Sequence, residues 1–433
     1  MKIKLNEIRE LRGFLILLFT QSLSSLGSAA TSFALIVWSY QQQGTALTTA
    51  LLSVCSYLPY VLTSVFAGAL CDRVGKKKLM LVCDSLAAAC TLGVLLLFML
   101  GSLRVWHLYL LNALNGLLDA FQRPAADVAV SLLVPKRHYQ STGGLRSLCG
   151  SLTNMLTPTV AAALLALGGL HWVIAFDLLT FAAAFIALLF FVKLPEPEKC
   201  SDHTERFIDA ARGGIGYLRE NRGILHLILF LAAINLTASM YNAALPALIL
   251  SKADETALGI LNTAAGFAML IGSTAAAVLP EPRSRVRVIC NTLLLSMGTE
   301  NFILGFGRSL PVWCIGAVLG WIGIPLMNAN LDCLMRSLIP IGMQGRVYSA
   351  RNALQFFTIP VGYFLGGLLV DEVFEPFAAM GQGWITMLFG SGRGSGAAML
   401  FALLGLFGLL TCLIFRRDKH ILSLEGEKSE KTQ

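Results

Sequence analysis

Asp119, Arg123 and Asp127 follow one another at intervals of four residues inside a largely apolar stretch. On a helix that spacing puts an acid, a base and a second acid on one face. Two chemistries fit it. A salt-linked stripe would finish the end of the helix. A titrating Asp119 would instead bind or release a proton as Arg123 engages it or turns to Asp127. The two are compatible, because a gate can also be a switch. Asp72, Arg73, Arg146, Asp332, Arg346 and Arg351 stand at the edges of other apolar stretches. With Asp127 they are expected to form an ionic network that is made in one conformation and broken in another. Asp84, Asp177 and Glu300 also fall inside apolar runs. Known enzymatic patterns are missing: there is no GxSxG, HExxH or Cys/His cluster. No metal or cofactor is expected. The 10 cysteines include no CxxC pair; Cys55, Cys83, Cys90, Cys149, Cys290 and Cys412 read as small buried hydrophobes. The GSGRGSGA run beginning at Gly390 imitates a dinucleotide fingerprint, but no strand precedes it.

These residues need elements that hold charge inside an apolar chain. Of 433 residues, 56% are hydrophobic and 13% charged, and the mean hydropathy is +0.70. A soluble domain carries about twice that share of charge. A net charge of +8 raises nucleic acid as a partner, but the charge is spread over many short loops, so none is expected. A span needs roughly 20 mostly apolar residues. Twelve candidates follow: 14–38, 46–70, 79–101, 105–126, 141–167, 171–193, 223–250, 257–279, 286–307, 311–335, 347–370 and 395–415. The first is too long for a signal peptide and lacks a convincing cleavage site. With the N-terminus inside, inner loops and tails hold 26 Lys and Arg and outer loops 4. Both termini are therefore expected in the cytoplasm, with the chain in the cell membrane.

The chain is expected to divide into a six-helix half (1–193), a cytoplasmic linker (194–222), a second six-helix half (223–415) and a cytoplasmic tail (416–433). An offset of 205 residues carries Asp127 onto Asp332, Leu133 onto Leu338, Pro135 onto Pro340 and Arg146 onto Arg351. Rare edge charges that recur with one offset point to duplication, and parallel halves suit a transporter. The outer loop 371–394 is long, holds Trp384, Phe389 and several glycines, and is a candidate to lie in the membrane interface.

The loop after the second span reads GALCDRVGKKKLML. It resembles the signature of the major facilitator superfamily, here Gly68, Asp72, Arg73, Gly75, Lys76 and Lys77. Gly68 would let helices approach, Asp72 could accept from a helix N-terminus, and Arg73 would neutralise it. It is not a phosphate loop, because the glycines are wrongly spaced and no Ser or Thr follows Lys76. SYLPYVLTSVFAGALCDR, FQRPAADVAVSLLVP, YNAALPALIL and GRVYSARNALQFFTIPVGYFLGG are similar to the macrolide-efflux and siderophore (enterobactin) export branch. The likeness covers nearly all spans except the loop 371–394. It implies an all-α membrane protein with twelve spans in two pseudo-symmetric halves. The sequence departs from the pattern in three places. The drug-exporter arginine of the fourth span is absent, with Asn112 and Asn115 near its place. The antiporter motif of the fifth span appears as Thr157-Pro158-Thr159-Val160-Ala161-Ala162, which keeps a bend at Pro158. In the second half, PEPRSRVR keeps only the charge of the signature loop.

The family architecture implies that spans 1, 4, 7 and 10 line a central cavity and that 3, 6, 9 and 12 lie outside. Asp84, Asp177 and Glu300 then read as structural. Asp119, about 20 Å along its span from Trp106, is the candidate proton-coupling acid. Polar candidates for the cavity are Gln21, Ser22, Ser25, Asn115, Asn235, Tyr241, Asn242, Asn328 and Asn330; each could instead bridge helices. The implied function is secondary active export of an amphipathic small molecule by alternating access, with a proton as coupling ion and a monomer in the bilayer. A lipid or lysophospholipid translocator of the same fold is the alternative. A membrane enzyme or receptor is the alternative from another class.

Overall fold

The computed structural model describes residues 10–73, 75–135, 139–192, 216–280, 282–339, 347, 350–351, 354–380 and 383–430. Its regular structure is entirely helical. The bilayer core offers no water to unpaired backbone groups, and a helix satisfies them within one segment. In chain order the helices are α1 (Arg12–Gln43), α2 (Ala46–Arg73), α3 (Lys76–Met99), α4 (Val105–Leu133), α5 (Tyr139–Gly168) and α6 (Leu170–Ile186), which runs on as a π-helical turn, Ala187–Phe191. Then come α7 (Arg222–Lys252), α8 (Glu255–Val278), α9 (Arg285–Phe306), α10 (Leu310–Trp321), α11 (Ile324–Leu338) and α12 (Thr358–Leu368). A second π-helical turn, Leu369–Phe374, leads into α13 (Glu375–Ala379), followed by α14 (Gly383–Phe389), α15 (Ser395–Arg416) and α16 (Lys419–Glu430). Among the described residues, eleven helical stretches are long and apolar enough to cross a membrane. Helix α4 has the length but is not among them, because Asn112, Asn115, Asp119, Gln122 and Arg123 dilute its apolar residues.

The structure departs from the expected spans in two places. The tenth span is one stretch, Leu310–Met335, but its helical hydrogen-bond ladder breaks at Ile322–Gly323 between α10 and α11. Pro325 has no N–H to return to the carbonyl four residues earlier, so the ladder is interrupted there. The run is apolar on both sides of the break, and hydropathy alone passes over it. The second departure lies in the stretch expected to be an outer loop. Residues 369–379 continue α12 by about three turns. Their acids serve other helices. Asp371 accepts from the backbone N–H of Ala46 (3.0 Å) and Leu47 (2.6 Å) at the start of α2. Glu375 Oε1 accepts from Gly394 N (2.8 Å) and Gly396 N (3.2 Å) at the start of α15. A helix N-terminus carries unpaired donors and a partial positive charge, and a carboxylate answers both.

The chain forms two compact units, Met1–Gln42 with Cys55–Asp202, and Gln43–Val54 with His203–Gln433. In the first, Leu17, Met80, Ala125, Ala129, Leu188 and Val192 form a buried cluster. In the second, Leu227, Ile228, Leu293, Leu331 and Leu334 belong to a larger one. Ile421 and Leu424 of α16, beyond the last apolar stretch, are buried in that same cluster, which is worth about 1.5–3 kcal/mol each where water is the alternative. Asp418 starts this helix by accepting from His420 N (2.8 Å) and from the His226 ring, whose Nδ1 lies 2.7 Å from Oδ2. Partial burial pushes the Asp418 carboxyl up, but the hydrogen bonds from His226 and the backbone outweigh it and hold it below the usual carboxylate range.

Inside lipid, helices associate by close packing more than by escape from water. Gly272 of α8 shows how close: a Cβ there would stand 2.0 Å from the Ile322 carbonyl oxygen and 3.2 Å from Pro325 Cδ. The glycine lets α8 lie against the break in the tenth span. Gly272→Val should therefore push the break away and destabilise the second unit by about 1–3 kcal/mol. A thermal unfolding scan of the purified protein in detergent reads it. An unchanged midpoint would show that the two helices do not touch there.

Candidate functional site

Helix α4 places Asp119 and Arg123 one turn apart, and Arg123 Nη2 donates to Asp119 Oδ2 at 3.2 Å. The side chains are 50% and 65% exposed. The guanidinium also lies over the Tyr60 ring of α2, 5.2 Å from its centroid. Arg123 is therefore held by two partners on two helices. For Asp127 the description stops at the backbone, as it does for Gly68, Asp72 and Arg73 of the signature loop. Arg346 and the linker 194–215 lie outside the described residues.

Two lysines of the signature loop are described. Lys76 is buried. Lys77 Nζ donates to the carbonyls of Leu189 (2.9 Å) and Val192 (2.8 Å). These close the π-helical end of α6, where carbonyls are left without amide partners and a cation is favoured. Gly75 starts α3 at φ −58°. Pro158 is buried inside α5. Arg146 is exposed on α5 and Asp332 on α11. Arg351 Nε donates to Gln355 Oε1 at 3.0 Å.

Several of the polar candidates have partners in the protein. Gln21 Nε2 donates to Asp84 Oδ2 at 3.4 Å, and Gln122 of α4 donates to Oδ1 of the same carboxylate. Asn235 Nδ2 donates to the Gln355 carbonyl at 3.3 Å. Tyr241 is buried and its hydroxyl donates to Glu300 Oε1 at 2.6 Å. Asn330 is buried and donates to the Leu326 carbonyl at 2.8 Å. Ser25, Asn242 and Asn328 are exposed. The Asn115 side-chain oxygen is buried and has no hydrogen-bond partner among the described residues.

The acids that sequence reasoning set aside as structural are the best-enclosed ones. Glu300 is 4% exposed. Its Oε1 takes the Tyr241 hydroxyl from α7 and, at 2.9 Å, the Trp321 indole N–H from the last residue of α10. Its other oxygen lies against Gly320, where a Cβ would come within 2.0 Å of it. Glu300 therefore ties α9 to α7 and to the edge of the break in the tenth span. Asp84 of α3 does the same between α1 and α4 through Gln21 and Gln122. Asp177 of α6 takes the Ser28 hydroxyl of α1 at 3.0 Å. In each unit, then, acids on helices read as peripheral are hydrogen-bonded by helices read as cavity-lining. One signal was available in the sequence: each is a lone acid in a long apolar run, and such a residue survives in a membrane by facing partners.

Membrane-length helical stretches with buried acids hydrogen-bonded between helices define a multi-pass membrane protein. Residues 17–238 match the Major Facilitator Superfamily, and the chain belongs to that family. Macrolide efflux protein A of Streptococcus pyogenes is 26% identical over 360 residues, 82% of this chain and 88% of that protein. The multidrug efflux pump Tap of Mycolicibacterium fortuitum is 24% identical over 82% of this chain and 89% of its own. The enterobactin exporter EntS of Citrobacter koseri is 25% identical over 70% and 72%. In fold, the chain is similar to a mutant of the nucleoside transporter NupG, with a TM-score of 0.68 at 11% identity over 93% of this chain and 99% of that one. A POT family transporter in complex with a thioalcohol-conjugated peptide gives 0.69 at 13% identity over 93% and 95%.

Proposed function

We propose that this transporter exports amphipathic small molecules across the cell membrane by alternating access, with proton antiport as the driving reaction. The observation that carries the reading is that relatives named for efflux of unlike cargo match 70–82% of the chain. Asp119 is the proposed proton carrier and Arg123 its partner, supported by the 3.2 Å pair and by its partial exposure. Asp72, Arg73, Asp127, Arg146, Asp332, Arg346 and Arg351 are the proposed gate. Ser25, Asn115, Asn242 and Asn328 are the proposed substrate contacts, and Pro158 the proposed bend in α5. The halves 1–193 and 223–415, joined by the cytoplasmic linker 194–222, are the proposed moving bodies. The test is transport in proteoliposomes with an imposed pH gradient and a panel of substrates. Accumulation of an amphipathic drug that follows the gradient supports the reading. Competition by lysophospholipid, with no drug accumulation, would favour lipid translocation instead.

The orientation has its own test. The charge asymmetry of 26 against 4 puts both termini and Cys200 in the cytoplasm. In a background that keeps Cys200 as the sole cysteine, an impermeant thiol reagent should label inside-out vesicles and leave intact cells unlabelled. Labelling of intact cells would reverse the topology.

A further inference from the structure

Helix α14, GWITMLF, buries one apolar face and exposes another, with Thr386 exposed between them. Ile385 is 1% exposed and Phe389 is buried, four residues on, so the pair points into the protein. Trp384 (53%), Met387 (77%) and Leu388 form the opposite face and are exposed. These three occupy an arc of about 100°. A helix on the water side of a protein turns polar groups outward, and an apolar face turned outward needs a cover of its own. Protein covers one side here.

The anchors of α14 set its height. Lys252, the last residue of α7, donates Nζ to the Phe389 carbonyl at 2.8 Å. Phe306, the last residue of α9, stacks on Phe389 with centroids 5.5 Å apart, and Arg308 just beyond it donates to the Met387 carbonyl. Glu375, the first residue of α13, holds the N-terminus of α15 at Gly394 and Gly396. The chain between α14 and α15 reverses at Gly390, Gly392 and Gly394, whose φ values of +85°, +78° and +87° suit glycine. So α14 sits at the level where α7 and α9 end, next to the start of α15. Those helices belong to stretches long and apolar enough to cross the membrane, and such stretches end where headgroups meet acyl chains. Trp is the residue enriched at that boundary. Arg308 and Arg393 are both exposed: the first reaches the Met387 carbonyl, and the guanidinium of the second lies against Gly44. With seven residues, α14 is about 10 Å long and cannot span.

We propose that α14 is an interfacial helix that lies in the lipid leaflet at this end of the bundle, with Trp384, Met387 and Leu388 inserted among the upper acyl carbons. The lipid is the second cover that its sequence requires. The assignment does not depend on what the transporter carries or on which ion drives it.

The experiment compares wild type with Trp384→Phe, reconstituted in vesicles, and takes the difference in tryptophan emission as the signal of Trp384. Lipids brominated high on the acyl chain should remove most of that signal. Lipids brominated near the terminal methyl should remove little of it, and aqueous iodide almost none. Strong iodide quenching without bromine quenching would overturn the proposal, because the face would then be in water. Failure of every quencher would overturn it too, since the face would then be covered by protein such as a second copy. A nitroxide at Met387→Cys gives an independent reading should Trp384→Phe fold poorly. It should be more accessible to oxygen than to a water-soluble nickel chelate, and the reverse order sinks the idea.

Discussion

Asp119→Asn should abolish gradient-driven accumulation while leaving substrate exchange intact. An amide cannot carry the proton, but it keeps the size of the carboxyl and can still accept a hydrogen bond from Arg123 Nη2, now 3.2 Å from the carboxylate. The fold and substrate binding should therefore survive, and only the link to the gradient should go. Exchange of labelled for unlabelled substrate without a gradient measures the first property. Uphill uptake into inside-out vesicles under an imposed pH difference measures the second. Full accumulation by Asp119→Asn would put the proton elsewhere or make the coupling ion something else. Loss of both activities together would make Asp119 a structural residue. Asp119→Glu should restore part of the accumulation, because the longer acid still reaches Arg123 one turn away.

The second large effect is expected at Glu300, and it is one of stability. Glu300→Ala removes the shared acceptor of Tyr241 and Trp321 from a site that is nearly closed to solvent. The buried Tyr241 hydroxyl and the half-buried Trp321 indole are left without this acceptor, and a small cavity opens beside Gly320. Each orphaned donor costs about 1–3 kcal/mol, so a loss of about 2–5 kcal/mol is expected in all. Glu300→Gln keeps an acceptor oxygen for both donors and should lose much less. Tyr241→Phe and Trp321→Phe each remove one donor. Either one combined with Glu300→Ala should add less than the sum of the single effects, because the contact is already gone. Unfolding midpoints of the purified variants decide this. Strict additivity would mean that the three side chains do not act as a unit.

The bilayer made most of the architecture legible in advance. Its thickness demands about 20 apolar residues per crossing, and the lack of water inside it demands helix. Both conditions are local, so a single run such as 395–415 declares its own structure, and α15 indeed covers Ser395–Arg416. The pair of Asp119 and Arg123 was legible for the same reason: residues four apart on one helix meet wherever that helix lies. The signature loop and the similar stretches around it pointed to the family, which the match over residues 17–238 bears out.

Only the tertiary structure decided which distant residues meet. Asp84 waits on Gln21 and Gln122, 63 and 38 residues away, and Asp371 on amides more than 320 residues earlier. Nothing along the chain names those partners. A buried acid states a need for donors without saying where they are. Glu300 looked peripheral because its helix was read as an outer one. Packing turned one face of α9 to α7 and α10, and a helix has an inner face even at the rim of a bundle. The break at Ile322–Gly323 was hidden because hydropathy counts side chains, whereas the interruption is a matter of the backbone donor that Pro325 lacks. The run 371–379 lay in the stretch expected to be an outer loop, and its acids Asp371 and Glu375 name no partners along the chain. They face the N-termini of α2 and α15, where unpaired amides supply what water would have supplied.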